Sequence, residues 1–209
     1  MSLCYSISST MKLKVFLISC ALLCCYKTQA QSFRGIITAG ANACQIDGDQ
    51  LSGFHKPGYM LGMGVERVVY KRWSILLGIE FMAKGSRTSS NDSIVYFKWK
   101  MQYIDVPIVL SFKAHQHFRF QAGVTPSILL NEKIDVGNGY QTPAFKDDVL
   151  NLLIAPAVEF VPIENVSLLM RYQYSLIRFN SGVPNTIPKF HNLITVGLRI
   201  YFGEKNTGQ

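Results

Sequence analysis

Apolar residues recur at every second position along most of this chain, in runs of 11 to 14 residues, rather than at the three-to-four spacing of a helix. Eight such runs follow one another: 33–43, 58–69, 73–83, 97–110, 118–130, 149–161, 166–177 and 190–202. Each is long enough for a tilted strand of about 9 to 11 residues crossing a bilayer. In the third, Trp73, Ile75, Leu77, Ile79 and Phe81 share one face while Ser74, Leu76, Gly78, Glu80 and Met82 share the other. The eighth sets Ile194, Val196, Leu198, Ile200 and Phe202 against Thr195, Gly197, Arg199 and Tyr201. The connections alternate too: 70–72, 111–117 and 162–165 are short, whereas 44–57, 84–96, 131–148 and 178–189 are longer and polar. Short turns on one rim and long loops on the other are the outer-membrane layout, and an even strand number returns both chain ends to the short-turn, periplasmic side. The expected fold is all-β: an eight-stranded antiparallel up-and-down transmembrane β-barrel.

The apolar faces carry no charge near mid-strand, as expected where an Arg or Lys at the bilayer midplane costs about 2 to 4 kcal/mol. Arg67 is the nearest exception, close to the short-turn end. Aromatic rings gather at that end of the same faces, at Phe33, Trp73, Phe112, Phe118, Phe160 and Phe202, as a girdle at headgroup depth. Tyr59, Phe81, Tyr172 and Tyr174 form a sparser set nearer the other rim. Gly40, Gly62, Gly64, Gly78, Gly123 and Gly197 all fall on the polar faces, as a narrow interior packed with side chains requires. The inward charges are then Arg34, Glu66, Glu80, Asp105, Arg119, Glu159, Arg171 and Arg199. Four acids facing four arginines imply a neutralised, hydrogen-bonded plug that conducts little, because an unpaired buried charge is expensive.

Two irregularities break the pattern. Pro126 and Pro156 lie inside strands that a closed barrel pairs on both sides, so bulges are expected there. In the fourth run Phe97, Trp99 and Met101 occupy one parity, and Ile104, Val106, Ile108 and Leu110 the other. Either a bulge lies near Tyr103, or residues 97–101 extend above the bilayer, where Lys98 and Lys100 would meet lipid phosphates.

Composition narrows the class further. Hydrophobic residues make up 48% and charged residues 16%, yet beyond residue 30 no segment approaches the ~20 apolar residues of a spanning helix. The start reads as an export signal, with Lys12 and Lys14 ahead of the apolar run Val15 to Cys25 and a Thr28-Gln29-Ala30 cleavage site. Basic residues belong near the beginning of such a signal, so Met11 is the expected start. Leu17-Ile18-Ser19-Cys20 has lipobox character, but the apolar run continues past it, which favours cleavage after Ala30. The expected organisation is a leader over 1–30, a barrel over 31–203 and a short polar tail over 204–209. Cleavage would remove Cys4, Cys20, Cys24 and Cys25, leaving Cys44 with no disulfide partner, and would lower the net charge from +8 to +5. No nucleic-acid motif accompanies that charge, and anionic lipid is its expected counterpart.

Catalytic and metal-binding patterns are weak. His115 and His117 flank Gln116 without a third ligand nearby and read as a polar turn. Cys44 and His55 share a loop without an orienting partner. Asp47-Gly48-Asp49 lacks the spaced ligands of a calcium loop. No cofactor, metal site or catalytic set is expected.

Gly35 to Asn42 with Gln45-Ile46-Asp47-Gly48-Asp49, then Gly53-Phe54-His55-Lys56-Pro57-Gly58, then Tyr103-Ile104-Asp105-Val106-Pro107 carry a resemblance. In these, and over Phe33 to Phe202 broadly, the chain resembles the PorT-like outer-membrane β-barrel proteins of the Bacteroidota. That resemblance implies an outer-membrane barrel and, for one branch, a part in protein secretion. The residues after Phe202 depart from the terminal aromatic by which the barrel-assembly machinery recognises many such proteins.

The leading functional expectation is a non-enzymatic barrel presenting loops to lipid, lipopolysaccharide or partner proteins, with Tyr140 and Phe145 of the longest loop as contacts. The alternatives are a component or assembly factor of a secretion system, an outer-membrane enzyme, and a soluble calyx with its apolar face turned inward.

Overall fold

The computed structural model describes residues 33–49, 51, 53–89, 96–144, 147–180 and 187–203, all within the compact unit Ser32–Gln209. Its ten strand segments are β1 (Arg34–Asp47), β2 (Lys56–Tyr70), β3 (Trp73–Arg87), β4 (Lys98–Asp105), β5 (Ile108–Lys113), β6 (Phe118–Asp135), β7 (Leu150–Ile154), β8 (Ala157–Ile163), β9 (Val166–Ser175) and β10 (Phe190–Phe202). β4 with β5, and β7 with β8, are single staves interrupted for two residues, so the ring has eight staves. Every pairing is antiparallel, and β1 against β10 closes the barrel in an unbroken ladder from Gly35↔Phe202 to Asp47↔Phe190.

The short turns are tight because single residues take up left-handed backbone there. Lys71 joins β2 to β3 with φ 43°, and Asn165 joins β8 to β9 with φ 71°. The long-loop side differs from expectation: β1, β2, β3 and β6 run several residues further, so the connections shrink to 48–55, 88–97 and 136–149. Backbone pairing continues there because a hairpin satisfies its own amides outside the bilayer as well as inside it.

The expected bulges at Pro126 and Pro156 are absent. Pro126 stays in register opposite Leu152, and Val106 donates its N–H to the Pro126 carbonyl at 2.8 Å. The interruptions at Val106–Pro107 and Ala155–Pro156 match their neighbours residue for residue, bridged by Ala155 N–H to Gly123 O at 2.9 Å and Tyr172 N–H to Pro156 O at 3.0 Å. Each proline therefore removes a donor without inserting a residue.

The register does shift beside Tyr103, but the extra residue belongs to the partner. Gln102 faces Asn131 and Tyr103 faces Leu129, so Leu130 of β6 is the bulge. β4 itself keeps one parity throughout, with Trp99, Met101, Tyr103 and Asp105 all buried inside.

The outward stripe is a belt of exposed apolar side chains that includes Ile37, Leu61, Met63, Ile79, Phe120, Met170 and Leu198. A belt of that extent has no stable place in water, which removes the soluble calyx. Glycines line the opposite stripe, in two directly opposed cross-strand pairs: Gly40 with Gly197, and Gly64 with Gly78. A Cβ on Gly40 would stand 2.6 Å from the Val196 carbonyl oxygen, too close for any other residue without displacement of the backbone.

Candidate functional site

The interior contains two layers of different chemistry. Toward the short-turn rim it is ionic. Arg171 of β9 reaches Glu80 of β3 with two parallel hydrogen bonds of 2.6 and 2.8 Å. β3 and β9 lie four staves apart in the ring of eight, so this pair spans the full width of the barrel. The side chains cross over Gly64 and Gly78, where a cavity of only about 20 Å³ remains. That is room for roughly one water.

Glu159 is the second centre. It accepts from Tyr201 Oη at 2.5 Å, Gln121 Nε2 at 2.5 Å, Arg199 Nη1 at 3.3 Å and the Ser167 hydroxyl, and Arg119 Nη1 stands 4.0 Å away. Glu66 takes the Ser74 hydroxyl at 2.7 Å and lies between Arg119 at 3.4 Å and Arg34 at 3.6 Å. Arg34 and Arg119 also sit 4.6 and 4.9 Å from the Tyr201 ring centroid. Asp105 pairs with Lys84 Nζ at 2.8 Å and accepts the Ser127 hydroxyl. All eight expected lumen charges therefore point inward, seven of them buried and Arg119 with 12% of its side chain exposed.

Lys84 is the member that periodicity missed, because the third run was ended at residue 83. The sign was present: Glu80, Met82, Lys84 and Ser86 continue one parity, and all four are buried. With it, five cations face four carboxylates. Such pairs offset their desolvation only where every lone pair is used; the hydroxyl, amide, guanidinium and phenol donors around Glu159 meet that condition, whereas Asp105 Oδ2 and Arg34 Nε have no hydrogen-bond partner.

Toward the long-loop rim the interior becomes apolar. Cys44, Ile46, Met60, Met82, Trp99, Met101, Leu153, Phe179 and Leu193 form one buried cluster. Trp99 and Met101, whose parity left two readings open, belong inside here, and Lys98 and Lys100 lie on the outward positions. The polarity of the wall is reversed because polar surroundings replace hydrocarbon outside it. At the seam, Tyr103 of β4 and His191 of β10 meet across the barrel with Oη and Nε2 3.0 Å apart. Lys84 Nζ lies 4.6 Å from the Tyr103 ring centroid. Phe179, from the last loop, stacks on His191 with centroids 4.2 Å apart and is fully buried.

The girdle residues Phe33, Trp73, Phe118, Phe160 and Phe202 are exposed at the short-turn rim, with Phe112 half-buried against Trp73 at 4.7 Å. Tyr140 is exposed in the third loop, and Phe145 lies outside the described residues. Residues 1–30 and 204–209, expected as leader and tail, also lie outside them. The remaining candidates are held in structural contacts. His117 is tied to the Val161 carbonyl at 3.0 Å, and Cys44 donates to Asn42 Oδ1 at 3.1 Å while His55 is exposed in its loop. Asp49 accepts from Leu51 N–H at 2.9 Å. No group of three or more His, Cys, Asp or Glu suited to a metal occurs among the described residues.

A carboxyl pair that the sequence did not reveal ties the third loop to the wall. The Asp147 N–H reaches Glu132 Oε2 at 3.4 Å, and Trp99 Nε1 donates to Glu132 Oε1 at 2.9 Å. Burial, together with the adjacent Glu132, pushes the Asp147 carboxyl up to about 8. A folded-state value above the unfolded one gives a contribution present in full below about pH 4 and lost as pH rises through about 8. Proteolysis of the third loop should therefore be slow at pH 5 and faster at pH 8.5 in wild type, and Asp147→Asn should flatten the difference. An unchanged pH profile in that variant would reject the link.

A family model described as outer membrane protein beta-barrel domain matches residues 29–205. Solved structures share the fold at low identity. Ail, the attachment invasion locus protein of Yersinia pestis, is 12% identical over 82% of this chain and 99% of that one, with a TM-score of 0.52. Its complex with the heparin analogue sucrose octasulfate gives 12%, the same coverage and 0.50. Neisserial surface protein A, NspA, is 14% identical over 80% of this chain and 97% of that one, with a TM-score of 0.54. No curated protein sequence matches the chain.

Proposed function

Since the chain belongs to the outer membrane protein beta-barrel domain family, we propose that it is a sealed, non-enzymatic anchor that spans the outer membrane and presents its long loops at the cell surface for interaction. The observation that carries this reading is the filled interior: the Arg171–Glu80 bridge crosses the lumen below, and Tyr103, His191 and Phe179 close it above. An interior occupied across its width leaves no path for a solute. What remains for function is the long-loop rim, where Tyr140 offers an exposed ring on a connection whose position is set by a rigid wall. Ail takes a heparin analogue, but at 12% identity that likeness reaches only the fold.

In this reading residues 1–30 are a cleaved export signal, the barrel-assembly machinery inserts the mature chain, and residues 204–209 are a polar tail. Lipid and lipopolysaccharide surround the barrel, and no nucleic acid or cofactor takes part. The resemblance to PorT-like barrels, carried by Tyr103-Ile104-Asp105-Val106-Pro107 among other segments, supports a second reading as a component of a secretion system.

One experiment separates the two. The third loop, 136–149, is replaced by a short Gly-Ser turn in cells, and surface cross-linking and secreted cargo are both measured. Loss of cross-linked partners with cargo unaffected is the expected result. Cargo trapped in the periplasm supports the secretion reading, and unchanged cross-links reject the third loop as the contact surface.

A further inference from the structure

Where the lipid-facing belt ends, the outward wall of the barrel becomes basic within one turn of the pleat. On β6 the belt closes with Leu130, and Lys133 follows on the outer surface. On β4 the outward positions toward the same rim are Gln102, Lys100 and Lys98. The register places Lys100 directly opposite Lys133, and Lys98 directly opposite Arg87 of β3. Like charges at directly opposed positions repel, so the sheet gains nothing from this arrangement by itself. Asp135 stands directly opposite Lys98 on the other side and also accepts the Gly137 and Gly139 N–H groups at 2.9 and 3.0 Å and the Tyr96 hydroxyl at 3.3 Å, whereas Lys100 and Lys133 face each other with no carboxylate between them in the register.

Depth identifies the counter-charge. A barrel strand tilted by about 40° climbs roughly 2.5 Å along the axis per residue. Phe118 to Leu130 then spans about 30 Å, the belt with its aromatic girdle, and Lys133 stands about 7 Å beyond it. That is headgroup level, facing outward into the membrane plane rather than up into solvent.

We propose that Arg87, Lys98, Lys100 and Lys133 bind the phosphate groups of an anionic lipid in the leaflet at the long-loop rim; the proposal rests on the membrane-spanning reading above. The two opposed pairs sit side by side on adjacent strands and present donors to more than one phosphate at once. Arg87 supplies a planar fork for one phosphate, and the lysines act as point charges around it. Phosphate bound there removes the repulsion between Lys100 and Lys133, so the lipid stabilises the outer pairing of β4 with β6.

The full chain is inserted into nanodiscs of phosphatidylcholine alone, or of phosphatidylcholine containing diphosphorylated or dephosphorylated lipid A labelled with a fluorophore. Enrichment of the label beside the protein and the unfolding temperature are measured. Wild type should enrich the diphosphorylated lipid and gain unfolding temperature from it, with neither effect for the dephosphorylated form. Near a membrane surface a basic residue is worth about 1 kcal/mol, so enrichment should fall about fivefold for each lysine changed in Lys100→Gln/Lys133→Gln. Lys100→Arg/Lys133→Arg should keep it, and raised salt should weaken it. Full enrichment in the glutamine variant overturns the site. So does an equal thermal gain from dextran sulfate in neutral discs, which would make the partner a soluble polyanion. Failure of wild type to migrate as a heat-modifiable barrel overturns the membrane-spanning reading together with the site.

Discussion

Replacing Glu80 with alanine is expected to destabilise the folded barrel by about 3 to 5 kcal/mol, the usual cost of leaving one member of a buried ion pair without its partner. Arg171 would keep its charge in an interior where Glu80 supplies both oxygens that its guanidinium meets. The neighbouring cations worsen its position, because Arg199 and Lys84 also act on Glu80. Urea unfolding in detergent micelles measures the loss. Replacing both partners, Glu80→Met with Arg171→Met, should recover most of it, since two apolar side chains of similar volume remove the desolvation of both charges. A single variant within ~0.5 kcal/mol of wild type would show that the bridge is solvated, and the lumen would then be open to water and ions.

The second large effect lies on the opposite surface of the same strand. Ile79→Arg should cost about 2 to 4 kcal/mol and reduce insertion, because that position lies near the middle of the hydrocarbon layer. Ile79 is 58% exposed on the barrel and pairs with Met63, 70% exposed, so neither has a protein neighbour to shelter a charge. Five to six residues separate it from Trp73 at the short-turn rim, about half the belt at roughly 2.5 Å per residue. The same side chain introduced at Lys100 should cost nothing measurable. Refolding yields into vesicles, read by the shift in gel mobility on boiling, compare the two. Equal tolerance at both positions would mean that no hydrocarbon touches residue 79.

Much of the wall was legible before any coordinates. In β3 the outward residues Trp73, Ile75, Leu77 and Ile79 are exposed, and Ser74, Leu76 and Glu80 are buried, as alternation alone assigns them. Six inward glycines and eight inward charges were assigned on the same parity argument. Alternation left one stretch open, where the surroundings changed rather than the chain. For residues 97–101 it allowed a bulge near Tyr103 or an extension above the bilayer; the register shift is there, with the extra residue on β6, and Trp99 and Met101 face inward because beyond the belt apolar means inward. The prolines misled. Pro126 and Pro156 do remove donors, but the interruptions at Val106–Pro107 and Ala155–Pro156 absorb the loss without an inserted residue. The carboxyl pair of Glu132 and Asp147 left no trace in the sequence, since fifteen residues and a loop separate its members.

The sequence by itself determined the strand number, the closed antiparallel barrel and the stripe that meets lipid, because the preference of each side chain for water or hydrocarbon is expressed residue by residue at a period of two. Only the tertiary structure decided which cation meets which carboxylate, that Lys84 joins them, and where the wall reverses its polarity. Those depend on which staves face each other across a closed ring and on the single extra residue at Leu130, which shifts every contact above it by one place. Contacts across a diameter join residues as far apart as Glu80 and Arg171, and no local pattern encodes the stagger that brings them together.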